Sequence, residues 1–230
     1  MKHDFYNKSK SYQNKIQITV AVFAIAIIML ALFVSLYTEW YMIVVIVFTV
    51  IYPLSLPFFT TPGLKKSGEL IYYSSLFITE KPKNNIINIH TGTLFDYLFV
   101  IDRKMTGNQR TKFVIQNYLQ GLLTLIEKYE KADNANLRIS GTSYIINERT
   151  ANKIGFRIVK NDSIQIMFFV YIYLNLLISN SIAKNKVSFP NLLKTKTFET
   201  DLNQLIKRKK YITELNNKLK RTIANNVYET

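Results

Sequence analysis

The hydrophobic positions fall into two unlike patterns. From Ile16 to Tyr37 the chain has 22 residues without a charge, which as a helix reach about 33 Å at a rise of about 1.5 Å per residue. From Tyr41 to Phe59 another 19 residues carry none. Runs of this length match a hydrocarbon layer roughly 30 Å thick. Only Thr38, Glu39 and Trp40 separate them. The pair therefore predicts an antiparallel helical hairpin (16–37 and 41–59) whose two ends emerge on one side. Tyr37, Trp40 and Tyr41 gather at its tip, where amphipathic rings favour the headgroup layer. Pro53 and Pro57 predict a kink or an early end to the second helix, and Pro62-Gly63 a stop. The first run is too long for a signal peptide, no small-x-small cleavage site follows it, and a second span comes at once.

Beyond residue 60 the periodicities shorten and predict a mixed α/β domain. Residues 65–80 are ambiguous: Leu70-Ile71-Tyr72-Tyr73 and Leu76-Phe77-Ile78 suit either a strand or a membrane-surface helix. Ile86–His90 and Leu94–Ile101 read as strands joined across Thr91-Gly92. Asn108–Ala132 reads as a long helix, with Phe113, Tyr118, Leu122, Leu125, Ile126 and Tyr129 at helical spacing. Leu137–Ile146 reads as a strand broken at Ser140-Gly141. Asn147 is the N-cap expected for a short helix, Glu148–Ile154, which Gly155 ends. Phe156–Val159 is a short strand. Ile164–Ile182 is apolar with few polar interruptions. A third span there would be short and would put the basic tail outside, so a helix packed on the sheet or lying against the bilayer is expected. In the tail, Leu202, Leu205, Ile206, Ile212, Leu215, Leu219 and Ile223 form one apolar stripe, predicting a basic amphipathic helix over about 199–224.

Charge sets the orientation. The 230 residues hold 30 Lys+Arg and 15 Asp+Glu, a formal charge of +15. Lys2, Lys8, Lys10 and Lys15 precede the first span, Lys65 and Lys66 follow the second, and the tip carries only Glu39. The positive-inside rule puts both termini in the cytoplasm of an inner-membrane protein. Residues 60–230 then form a basic cytoplasmic domain, behind a basic tail, 1–15. Lys65, Lys66, Lys207, Arg208, Lys209 and Lys210 are its candidate lipid-surface cations, since a cation near an anionic leaflet is worth about 1 kcal/mol. For the tail helix, covering the domain and touching lipid are equally open. Abundant Lys, Asn, Ile and Tyr suit AT-rich coding and a bacterial membrane.

Candidate chemistry is sparse. There is no cysteine and there are only two histidines, His3 and His90, so thiolate metal sites, disulfides and His-rich sites are excluded. His90 with Asp96 or Asp102 has the groups for a general base, and Ser143 for a nucleophile, but no G-x-S-x-G elbow surrounds it. On a strand, Asp96 and Asp102 would lie about 20 Å apart, too wide for a two-metal site. No Walker A or dinucleotide fingerprint is present. A pI near 9.8 admits nucleic acid, yet no nucleic-acid-binding motif accompanies it, and the anionic leaflet explains the cations better.

One stretch carries a family pattern. In 94–159, Arg103-Lys104-Met105-Thr106-Gly107-Asn108-Gln109 opens a long helix, and Asn147-Glu148-Arg149-Thr150-Ala151 runs on to Ile154-Gly155-Phe156. This resembles the second half of GNAT-type acetyltransferases, with their Gln/Arg-x-x-Gly-x-Gly/Ala loop, Asn-x-x-Ala and Leu-Gly-Phe. Gln109 replaces the second small residue, the short helix is about one turn short, and the family's general-acid tyrosine has no counterpart. The resemblance implies acetyl-CoA or another acyl-CoA held at Lys104, Gly107, Asn108, Arg110 and Asn147, with the pyrophosphate on a helix N-terminus. Apart from it no cofactor is expected. The first reading is thus a membrane-anchored binding or scaffolding module with lipid and a protein as partners. The alternatives are a membrane-surface acyl-CoA transferase and a nucleic-acid tether.

Overall fold

The computed structural model of the chain describes residues 3–131, 137–159 and 163–225, with the side chains of 163–166 and 224–225 left aside. A short turn of helix, α1 (Asp4–Asn7), precedes α2 (Lys10–Thr38), α3 (Met42–Ser55) and α4 (Pro57–Ser67). Lys10–Thr38 and Met42–Ser67 are both long and apolar enough to cross a membrane. Glu39 adopts a left-handed φ of 59° and turns the chain between them. Ala31 and Ser35, four apart on α2, are buried; small residues at this spacing let two helices approach closely. The Ser35 hydroxyl accepts from the Val44 amide at 3.1 Å, which satisfies one of the orphan N–H groups that open α3. Phe23, Leu30, Phe33 and Ile46 point outward and are exposed.

The expected stop at Pro62-Gly63 is corrected: α4 continues to Ser67 and ends where Gly68 takes a φ of +78°. A proline inside a helix frees the carbonyl four residues earlier, and here two such carbonyls have found donors. Pro62 frees that of Phe58, which accepts from Gln17 Nε2 of α2 at 3.0 Å. Pro57 frees that of Pro53, which accepts from Asn175 Nδ2 at 2.8 Å. Asn175 belongs to a later helix, α9 (Tyr173–Lys184), so the kink ties the apolar hairpin to the rest of the chain. Asn175→Leu orphans the buried carbonyl and should cost about 1–3 kcal/mol, read as a lowered thermal midpoint in detergent.

The ambiguous stretch before residue 80 is a strand pair, β1 (Leu70–Tyr72) and β2 (Phe77–Glu80). Next come β3 (Ile86–Thr91), α5 (Leu94–Val100), α6 (Gly107–Glu130), β4 (Arg138–Ser143), α7 (Glu148–Lys153) and β5 (Arg157–Val159). Then follow α8 (Ser163–Tyr171), α9, a 3-10 turn (Leu192–Lys194), β6 (Lys196–Asp201) and α10 (Leu202–Asn225). The expected helix end at Ala132 lies outside the described residues. The six strands form one sheet, in the order β1-β2-β3-β4-β6-β5. Its pairings are antiparallel except β3 with β4. That parallel pair needs a crossover, which α5 and α6 supply.

One face of the sheet carries Phe77, Ile87, Ile139 and Phe198 into the main core, where α6 brings Leu122, Leu125 and Ile126. An added Cβ at Gly121 would lie 2.3 Å from the Phe77 side chain, so the glycine sets how closely α6 sits on β2. The apolar stripe of α10 completes this core: Leu202, Leu205 and Ile212 are buried, and Ile206, Leu215 and Leu219 pack on it. Its first expected residues, 199–201, belong instead to β6.

Two further expectations are corrected. Leu94–Ile101 is helical, not a strand. A short apolar run has no decisive period, and the Thr93 N-cap with Asp96 three residues on forms a capping box that settles it. The strand spacing inferred for Asp96 and Asp102 lapses with it. Ile164–Ile182 splits at Ile172 into two helices of 9 and 12 residues, and the second packs on α5 and α6 of the domain.

Candidate functional site

The densest polar cluster is organised by Asp96 of α5, which has no solvent exposure. One carboxylate oxygen accepts from the Thr93 amide at 2.7 Å and the Thr93 hydroxyl at 2.8 Å. The other accepts from the Tyr72 hydroxyl of β1 at 2.7 Å and lies 3.1 Å from His3 Nε2. Thr61 of α4 closes on the Thr93 hydroxyl at 3.3 Å. Phe5, Tyr6, Phe95 and Phe99 wrap the contact in aromatic rings. The Lys65 ammonium sits 3.2 Å from the centre of the Tyr6 ring. Burial pushes the Tyr6 and Tyr72 phenols above the usual tyrosine range, so both stay protonated and Tyr72 remains a donor. Both carboxylate oxygens are engaged and the side chain has no solvent exposure. The arrangement fastens residues 3–7 to the domain.

Arg110, Gly107 and the cap residues of the candidate anion loop are engaged within the fold. Arg110 is buried, and its guanidinium donates to the carbonyls of Arg103 at 2.7 Å, Met105 at 2.9 Å and Ile182 at 3.0 Å. The loop thereby closes on the C-terminal end of α9. Gly107 lies against the same end: an added Cβ would stand 2.1 Å from the Lys184 carbonyl oxygen. Thr106 and Gln109 form a capping box over the first turn of α6. Lys104 and Asn108 are exposed. The loop follows a helix, α5, and not a strand. Gly107→Ala should cost about 1–3 kcal/mol through overpacking against main chain that cannot yield, measured by denaturant unfolding. Asn147 acts as the expected N-cap, accepting from the Thr150 amide at 2.9 Å, and Gly155 takes a φ of +97°.

His90, Asp96, Asp102 and Ser143 have separate neighbours. His90 bonds Glu80 at 2.9 Å on the open face of the sheet. Asp102 accepts from the Lys104 amide at 2.9 Å. The Ser143 hydroxyl accepts from the amides of Ile145 and Ile146. The His90 hydrogen bond holds Glu80 down at about 2. A depressed carboxylate stabilises the fold above its ordinary value near 4.5, and that contribution fades as pH falls toward 2. With 40% of the Glu80 side chain exposed, screening leaves about 1 kcal/mol. Glu80→Gln should remove that acid-range slope from stability measured against pH.

The candidate lipid-surface cations divide. Lys65 is engaged by the aromatic cluster, and Lys209 donates to Glu130 of α6. Lys66, Lys207, Arg208 and Lys210 are exposed. Arg208 joins Arg149, Asn152, Lys153 and Tyr211 around a shallow open hollow of about 460 Å³ between α7 and α10. Among the described residues no three His, Cys, Asp or Glu side chains gather as a metal site.

Sequence reasoning missed Tyr72, Tyr6 and Thr61, and took His3 only as one histidine too few. The Thr93-x-x-Asp96 spacing was the one local signal for the cluster. No family model, no curated protein and no solved structure matches the chain.

Proposed function

We propose that the chain is an integral protein of a cytoplasmic membrane, with both termini inside, whose α/β domain is a binding module held at the bilayer surface. The observation that carries this reading is how the hairpin is attached. Its outward apolar side chains are exposed among the described residues, while its base is tied to the domain by polar contacts. His3 meets Asp96 at 3.1 Å, so residues 3–9 and the domain must lie on one side of any bilayer that α2 and α3 cross. Asn175 meets Pro53, so the domain is attached at two places, and a hinge at residue 68 alone would not free it. The charge asymmetry of the flanks agrees with that side being cytoplasmic.

Its mechanism is anchoring by the hairpin, seating by exposed cations such as Lys66 against anionic headgroups, and presentation of the open sheet face to a protein. Glu80, Asn88 and His90 form a hydrogen-bonded polar patch there. Arg110 directs three of its N–H groups to main-chain carbonyls, so the binding-module reading is preferred to the acyl-CoA transferase. Alkaline carbonate washing of membranes tests the anchoring: the chain should stay in the pellet and enter solution only with detergent. Release by carbonate would remove the proposal.

A further inference from the structure

Among the described residues, most of the large exposed apolar side chains outside α2–α4 belong to one stretch, 167–193. On α8 these include Met167, Phe168 and Val170, at 73%, 55% and 61% exposure. Beyond α9, Val187, Phe189 and Leu193 follow at 74%, 69% and 97%. The two groups adjoin, since α8 packs beside the 3-10 turn that carries Leu193. Such a surface on a soluble domain is a liability unless something covers it.

We infer that α8 and the 187–193 segment form a second, interfacial membrane contact, seated in the same leaflet that the base of the hairpin leaves. This rests on the proposed membrane reading. Three observations name lipid as the occupant. Asn175 of α9 reaches the carbonyl of Pro53, within the apolar run 41–59, so α9 meets the hairpin at a depth below the headgroups. The α8–α9 pair has no charged residue from Ser163 to Ala183. Lys184, Lys186 and Lys194 border the apolar patch, where ammonium groups reach anionic headgroups while their stems stay in the apolar layer. α9 packs on α5 and α6 of the domain and α8 lies beside the 3-10 turn, so the pair stays with the domain in the boundary zone, as interfacial helices do, with its apolar side about 5–10 Å into the headgroup–acyl boundary.

Trp40 is the only tryptophan, so a Trp40→Phe background makes single reporters possible. In full-length protein reconstituted in phosphatidylcholine–phosphatidylglycerol vesicles, Phe168→Trp and Leu193→Trp are compared with Phe33→Trp on the hairpin and Tyr211→Trp on α10. Leu193 is almost wholly exposed, so its replacement leaves packing intact. Lipids brominated high on the acyl chain should quench Phe168→Trp and Leu193→Trp by roughly half or more, with blue-shifted emission, and spare Tyr211→Trp. Quenching of Phe33→Trp alone would overturn the interfacial contact and leave the hairpin standing. Quenching of none would overturn both. Blue-shifted but unquenched emission that reverts on dilution would overturn it too, because a second copy of the chain would then cover the patch.

Discussion

Asp96→Ala should destabilise the protein by about 3–5 kcal/mol, the scale of removing one partner from a buried polar network. The Thr93 amide, the Thr93 hydroxyl and the Tyr72 hydroxyl donate to this carboxylate, and His3 Nε2 lies 3.1 Å from it. Without it these groups would face a cavity where their shared acceptor had been. The loss also removes the capping box of α5, itself worth about 1 kcal/mol. Asp96→Asn keeps the volume but turns an NH₂ toward two of those donors, so it should fall between wild type and alanine. Tyr72→Phe removes one donor and leaves the others satisfied, so about 1 kcal/mol is expected. Chemical unfolding in detergent gives the series. Limited proteolysis separates this account from a general loss of packing: Asp96→Ala should expose the first nine residues to cleavage before the domain opens.

Leu205→Ala should cost about 2–5 kcal/mol, the range for emptying a fully packed leucine site. Leu205 has no exposure and lies where α10 closes the core over α6. If the α10 stripe faced lipid instead, truncation would weaken vesicle binding and leave unfolding unchanged. The account predicts the reverse. Lys207→Glu and Lys210→Glu on the exposed face should each shift stability by less than about 0.5 kcal/mol. Differential scanning calorimetry and vesicle flotation on the same three variants decide between the two.

The hairpin was legible in the sequence because the stretch 16–59, with Glu39 its only charge, leaves little other use for so much apolar side chain. The α6 and α7 helices were legible because their stops and caps are local: Asn147 and Gly155 act within one turn of the residues they punctuate. Element type failed where period was silent. Leu94–Ile101 has apolar residues at almost every position, and only the Thr93–Asp96 cap reveals the helix. The strand Lys196–Asp201 escaped notice because its sequence, KTFETD, is mostly polar, and its place in the sheet depends on pairing with β4 and β5. The Asp96 cluster is less legible still, since His3 and Asp96 are 93 residues apart. Arg110 was assigned to an anion loop because a sequence displays a cation but not the carbonyls that will surround it.

On the proposed topology the chain crosses a membrane twice and its domain lies on the cytoplasmic side. The absence of cysteine makes the direct measurement clean: Glu39→Cys at the tip and Glu214→Cys on the exposed face of α10, each treated in intact cells with a membrane-impermeant maleimide. Labelling is expected at 39 without permeabilisation and at 214 only after it. Labelling of both sites, or of 214 alone, in intact cells would contradict the topology.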